Sequence, residues 1–259
     1  MKFENGFLVC VMPAVLSFGG WGQLSAAEPV SADLRPKLEK WELGQRRQGG
    51  RGTCSVFAVT GALEFALAAK DGRGTRLSPE FLNWASNKKC GNRQDGGFFS
   101  DLWSGFEAFG ICREASLPYA GRFDPDLAPT AATLDEAAER RSLGLKPRWI
   151  KRWDVTTGIG DAQLASIKST LSSGWPVCGG FRWPKHEEWK EGVLQMRKPE
   201  EVFDGHSVLL VGFRDDLAQP GGGVLLFRNS GGAGKDGAMP YGYARLFLND
   251  AMWIGPVQE

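Results

Sequence analysis

The sequence predicts an α+β fold whose helices and strands occupy separate lobes. Helix-period apolar patterns fill the first half of the chain. Short runs rich in β-branched, aromatic or leucine residues, bounded by Gly, Pro or Asp, fill the second. The two kinds do not alternate, as a parallel βαβ sheet would require.

Residues 54–70 open the helical half, with Val56, Thr60, Leu63 and Leu67 on one face and Gly72 as a stop. Ser78-Pro79 is a helix start: a capping hydroxyl followed by proline at the first helical position. It predicts about ten residues of helix through Phe81, Leu82 and Trp84. A third helix is expected over 100–109, ended by Gly110, and a fourth around 133–142. Between Tyr119 and Trp149 the pattern weakens, punctuated by Pro125, Pro129 and Pro147. Asp161 can cap a helix through Leu171 that Gly174 ends. Strands are then expected over Val177–Phe181, Ser207–Arg214, Gly223–Arg228 and Tyr241–Leu248. A cleft between two such lobes is a natural substrate site.

The chain has 259 residues, of which 42% are hydrophobic and 24% charged, enough for a sizeable core and too apolar for disorder. Its 31 Lys and Arg against 30 Asp and Glu give a net charge of +1, so there is no bulk attraction to nucleic acid or anionic lipid. Ten tryptophans raise the idea of carbohydrate binding, but they show no repeat, and packing explains them better. Residues 1–27 read as an export signal, with an apolar stretch from Phe7 to Phe18 and small residues at Ser25 and Ala27. Cleavage before Glu28 is expected. It would leave residues 28–259 as one domain, secreted or periplasmic, with no stable membrane anchor.

Export removes Cys10 and leaves Cys54, Cys90, Cys112 and Cys178. No CxxC occurs and the chain has two histidines, so a zinc site of the usual spacing is poorly supported.

Four segments carry the candidate chemistry. In Gln48-Gly-Gly-Arg-Gly-Thr-Cys54 a glycine-rich loop runs into a helix that a cysteine opens. Unpaired N–H groups and the helix dipole there favour a thiolate, the nucleophilic form. Alone, the segment reads more readily as a small buried residue starting a helix. In Asp204-Gly205-His206-Ser207-Val208 a histidine enters an apolar strand. The other histidine, His186, lies in a charged stretch, so His206 is the better imidazole base. Asn229, followed by Ser230-Gly231-Gly232, stands at the end of a strand. It fits a turn, or a carbonyl that orients an imidazole. Asp95-Gly96-Gly97-Phe98 fits a turn, or a place where another backbone comes close.

Together these give Gln, Cys, His and Asn in order, and in this the chain resembles the papain-like cysteine peptidases. The likeness spans about residues 35–250. Gln48 stands six positions before Cys54, Gly205-His206-Ser207-Val208 matches the histidine motif, and Asn229-Ser230 opens the asparagine motif, with a later Gly242-Tyr243. The resemblance implies a two-lobed fold, with a helical N-terminal lobe and an antiparallel β-rich C-terminal lobe around the active-site cleft. It implies hydrolysis of a peptide or protein substrate through a thioester, with no metal or organic cofactor. Cys54 would be the nucleophile, His206 the base, Asn229 its orienter and Gln48 an oxyanion donor, with Gly96, Gly97 and Gly205 binding substrate.

The chain departs from the family pattern at three points. Arg51 replaces a cysteine that normally forms a disulfide, Ser55 replaces the aromatic residue after the nucleophile, and Gly231 replaces the tryptophan over the Asn–His contact. Too few residues lie between Glu28 and the core for the long inhibitory pro-segment of many members. Compact bacterial relatives are the better likeness. With Cys54 free, Cys90 could pair with Cys112, or all could remain thiols. Competing readings are a Cys-dependent amidase or acyltransferase, and a binding protein on a peptidase scaffold that has lost turnover.

Overall fold

The computed structural model describes Met1 and residues 31–257 except 142 and 233, with Asp204 in its backbone only. The proposed export signal over 1–27, Met1 apart, lies outside the described residues. No helix among the described residues is long and apolar enough to cross a membrane.

The helical half follows a short strand β1 (Ser31–Asp33). It contains α1 (Arg35–Lys40), α2 (Cys54–Asp71), α3 (Pro79–Cys90), α4 (Phe99–Phe109) and α5 (Ala131–Arg141). The β-rich half contains β2 (Leu145–Lys151), α6 (Asp161–Ser172), β3 (Val177–Pro184), β4 (Trp189–Lys190) and β5 (Val193–Leu194). It continues with β6 (Val202–Asp215), β7 (Gly223–Arg228), β8 (Asp236–Pro240), α7 (Tyr241–Phe247) and β9 (Leu248–Pro256). Among the described residues one sheet runs β2-β9-β3-β6-β7-β8-β5-β4, with β1 beside β6. Its pairings are antiparallel except β5 with β8.

The expected helix signals work as physics requires. Ser78 Oγ accepts from the Phe81 N–H at 2.9 Å, capping α3, and left-handed Gly72 and Gly91 close α2 and α3. α2 is buried nearly all round rather than on one stripe, because it lies between the other helices and the sheet. Gly61 permits that approach: a Cβ there would stand 3.0 Å from a Leu209 methyl on β6. A single hydrophobic cluster joins the two halves, with Leu63 and Phe65 of α2 beside Val208, Leu210 and Phe213 of β6.

One expectation is corrected and one open choice closes. Tyr241–Leu248 is not a strand. Tyr241–Phe247 is helix α7, and the strand begins at Leu248. The open choice about Cys90 and Cys112 resolves as thiols: Cys54, Cys90, Cys112 and Cys178 are all free. Cys112 is fully buried while Cys90 is exposed at the end of α3, so one thiol lies inside the core and the other outside it.

Candidate active site

α2 begins at Cys54, so its sulfur sits where a helix presents unpaired N–H groups. β6 delivers His206 from the other half of the molecule. The sulfur and the imidazole line one cleft, and each acts on the ionisation of the other. His206 Nε2 is 2.9 Å from Asn229 Oδ1, which leaves Nδ1 for the sulfur. Asn229 stands just beyond β7, and its Oδ1 also accepts the Gly231 N–H at 2.8 Å, which fixes the amide. The Gly205 carbonyl lies 3.8 Å from the sulfur.

The electrostatics follow from these contacts. Burial pushes the Cys54 thiol up. The neighbouring His206 outweighs it, helped by the Ser207 and Ser55 backbone, and the net shift is downward. For His206 burial works downward, but Cys54 and Asn229 outweigh it, with a contribution from Glu187, and the net shift is upward. Both shifts favour a thiolate–imidazolium pair. The remaining thiols go the other way: burial raises Cys90, lifts Cys112 to about 12 and raises Cys178 further.

Gln48 is buried, its Nε2 donating to the Arg51 carbonyl at 2.8 Å and its Oε1 accepting from Ser230 Oγ at 2.8 Å. Ser230 thereby fixes which end of the amide is the donor, and one Nε2 hydrogen stays uncommitted. Gly96 has a left-handed backbone, and a Cβ there would overlap the Gly52 carbonyl. Its N–H donates to Asn83 Oδ1 at 2.9 Å, and the Gly97 N–H donates to Ser55 Oγ at 3.3 Å. The structure thus brings Cys54, His206, Asn229 and Gln48 together, with Gly97 and Gly205 lining the cleft beside Cys54 and Gly96 next to it. His186 is exposed beyond β3.

Sequence reasoning missed several groups. Trp183, only 3% exposed, packs edge-on against the His206 ring with centroids 4.6 Å apart. Its Nε1 donates to Glu187 at 2.8 Å. No local pattern marks Trp183; the β3–β6 pairing brings it there. Asp250 on β9 lines the same cleft of about 1030 Å³ as Cys54 and His206, and burial lifts its carboxyl to about 7 against the weaker pull of Lys151. Here a signal existed: an acid inside the apolar run Phe247 to Ile254. Among the described residues no cluster of three or more His, Cys, Asp and Glu could hold a metal ion.

Solved structures share this fold. Xylellain, a cysteine protease from Xylella fastidiosa, superposes with a TM-score of 0.67 at 22% identity, covering 90% of this chain and 88% of that one. The proform of the ragweed pollen allergen Amb a 11, also a cysteine protease, gives 0.65 at 21% identity, covering 92% and 69%. Cathepsin S of Bos taurus is 34% identical over 147 residues, which is 54% of this chain and 44% of that protein. A cathepsin L-like protein of Caenorhabditis elegans is 27% identical over 209 residues, 79% of this chain and 55% of that protein. The chain spans about half the length of the curated relatives it matches. The family model for papain family cysteine proteases matches residues 28–252. On that match, the chain belongs to the papain family of cysteine proteases.

Proposed function

We propose that this protein hydrolyses peptide bonds by acyl transfer to Cys54. The observation that carries the reading is the meeting in one cleft of the sulfur at the start of α2 and the His206 ring, with Asn229 Oδ1 2.9 Å from that ring. The Cys54 thiolate attacks the substrate carbonyl carbon, and the C=O electron pair moves to oxygen. The uncommitted Nε2 hydrogen of Gln48 and the Cys54 N–H donate to that oxyanion. One such donor is worth about 3 kcal/mol, on the order of a hundredfold in rate. When the intermediate collapses, the C–N bond breaks, and imidazolium His206 gives its proton to the leaving amine. Neutral His206 then takes a proton from water, which attacks the thioester and releases the acid and the thiolate. Asn229 keeps the ring aimed through both halves. Gly97 and Gly205 offer peptide groups to the substrate backbone, and Gly96 shapes the turn that carries Gly97.

The test is hydrolysis of a mixed peptide library by wild-type protein and Cys54→Ala, with a thiol-directed epoxide as a second arm. Cleavage by the wild type is expected to vanish in the variant. The epoxide should label Cys54 ahead of exposed Cys90 at mildly acidic pH. Equal cleavage by Cys54→Ala sinks the reading, and binding of peptides without turnover by the wild type would instead favour a non-catalytic scaffold.

A further inference from the structure

We propose that Asp250 makes this cleft selective for substrates with a cationic side chain, lysine or arginine, close to the cleaved bond. The inference rests on the peptidase reading for its location and on Asp250 for its content.

Asp250 is 5% exposed and forms part of the wall that also holds Cys54 and His206. Its partner in the β3–β9 register is Gly180. A Cβ on Gly180 would overlap Asp250 Oδ1, so the bare backbone of Gly180 is what lets the carboxylate lie against the cleft floor. Among the described residues no group hydrogen-bonds this carboxylate. The cation whose charge reaches it is Lys151, and the Lys151 ammonium already donates to the carbonyls of Thr156 (2.9 Å), Gly158 (2.9 Å) and Leu248 (3.0 Å). A buried carboxylate without a partner is costly, and a ligand that brings a cation removes the cost.

The rest of the wall suits a long cationic side chain. Phe98, from the helical half, and Trp153, from the β-rich half, are 49% and 47% exposed, with ring centroids 5.1 Å apart. Both line the cavity with Val155. Apolar surface of this kind takes the methylene stem of Lys or Arg, and aromatic faces attract its charged head. Apart from the Cys54–His206 pair, the cavity lining carries two acids, Asp101 and Asp250, and one guanidinium, Arg182. An apolar side chain seated against Asp250 would bury the carboxylate further with nothing to pair it, which selects against that class.

The test varies each position flanking the cleaved bond among arginine, its neutral isostere citrulline, lysine and leucine. Initial rates are measured with the wild type and Asp250→Asn. Binding of the same peptides to Cys54→Ala is measured by fluorescence anisotropy. At one position kcat/KM is expected to favour arginine over citrulline at least tenfold, and that ratio to fall at least tenfold in Asp250→Asn. Cys54→Ala should show the same charge preference in Kd. If wild-type protein cleaves arginine and citrulline peptides alike, or Asp250→Asn keeps the preference, the inference is wrong. Charge-selective binding without cleavage by the wild type would retain the Asp250 assignment and remove the peptidase reading. Binding without charge preference would remove the assignment whatever the rates.

Discussion

Two opposed shifts meet on the Cys54–His206 pair, and they set a pH window. The thiol is held below its ordinary value and the imidazole above its own, and both shifts favour the ion pair, which needs the sulfur deprotonated and the imidazole protonated. Acid protonates the sulfur and alkali removes the imidazolium. Each step belongs to the pair rather than to one residue. Glu187 offers a handle on the upper step, because its charge helps keep His206 protonated while its oxygens accept from Trp183 at 2.8 Å and Trp189 at 3.0 Å. Glu187→Gln removes the charge and keeps a similar shape. The alkaline limb of kcat/KM against pH is expected to move to lower pH, more than the acid limb moves. An unmoved alkaline limb would mean that Glu187 acts on Trp183 packing alone. Gly231 belongs to the same scale. A side chain there would start 3.0 Å from His206 Cε1 and 3.3 Å from Asn229 Oδ1. Gly231 thus lies against the His–Asn contact with no side chain of its own, while Trp183 packs on the His206 ring.

Elements reach the site through Arg51, which stands where the family pattern has a half-cystine. Its guanidinium lies over the Tyr119 ring at 4.6 Å and pairs with Glu80 at 2.5 Å and Asp95 at 2.7 Å, while its carbonyl accepts from Gln48 Nε2. One side chain thus ties the loop before α2 to α3 and to the loop that carries Gly96 and Gly97. Arg51→Met would leave buried Glu80 without its cation. The expected loss is about 3–5 kcal/mol in urea unfolding, and the double variant Arg51→Met/Glu80→Gln should recover part of it. A loss under about 1 kcal/mol would mark the network as solvated rather than buried. The sequence reading found Arg51 as a missing disulfide and could not find its partners, because Glu80 and Asp95 are 29 and 44 positions away. Helices were more legible than strands for the same reason. Caps and stops such as Ser78, Gly72 and Gly110 are local, and the ends of α2, α3 and α4 follow from them. The aromatic run Tyr241–Phe247 carries β-like composition, yet it folds as a helix after Pro240, since such propensity yields to packing. β2 escaped notice because Pro147 breaks the pattern, a residue tolerated there because β2 is an edge strand. The Cys, His and Asn positions could be read without those elements: Cys54 opens α2 and Asn229 follows β7, while His206 lies within β6, which begins at Val202, five residues before the expected start at Ser207.

For the whole molecule, the buried acid in the cleft is a stability term that function can explain. Asp250 has a folded pKa of about 7 against 3.8 for the free side chain. Between those values the native state keeps a proton that the unfolded chain has released, so stability falls as pH rises through the interval. Near pH 4 the contribution is present; above about pH 7 it has gone. Roughly three pKa units correspond to on the order of 4 kcal/mol. Glu136 works in the opposite sense. Burial raises it, but hydrogen bonds from Ser116 and Arg113 outweigh that and hold it at about 2, so its contribution is present above pH 4.5 and is lost progressively as pH falls from there to about 2. Asp250→Asn removes the first term and leaves the second, so the comparison of variant with wild type isolates Asp250. The stability of Asp250→Asn relative to wild type should rise by a few kcal/mol between about pH 4 and about pH 7.5, read from urea unfolding at each pH. A difference independent of pH would show that Asp250 titrates normally in the folded protein. If the rise is found, adding a basic peptide to Cys54→Ala should reduce it, because a bound cation supplies the partner that folding leaves out.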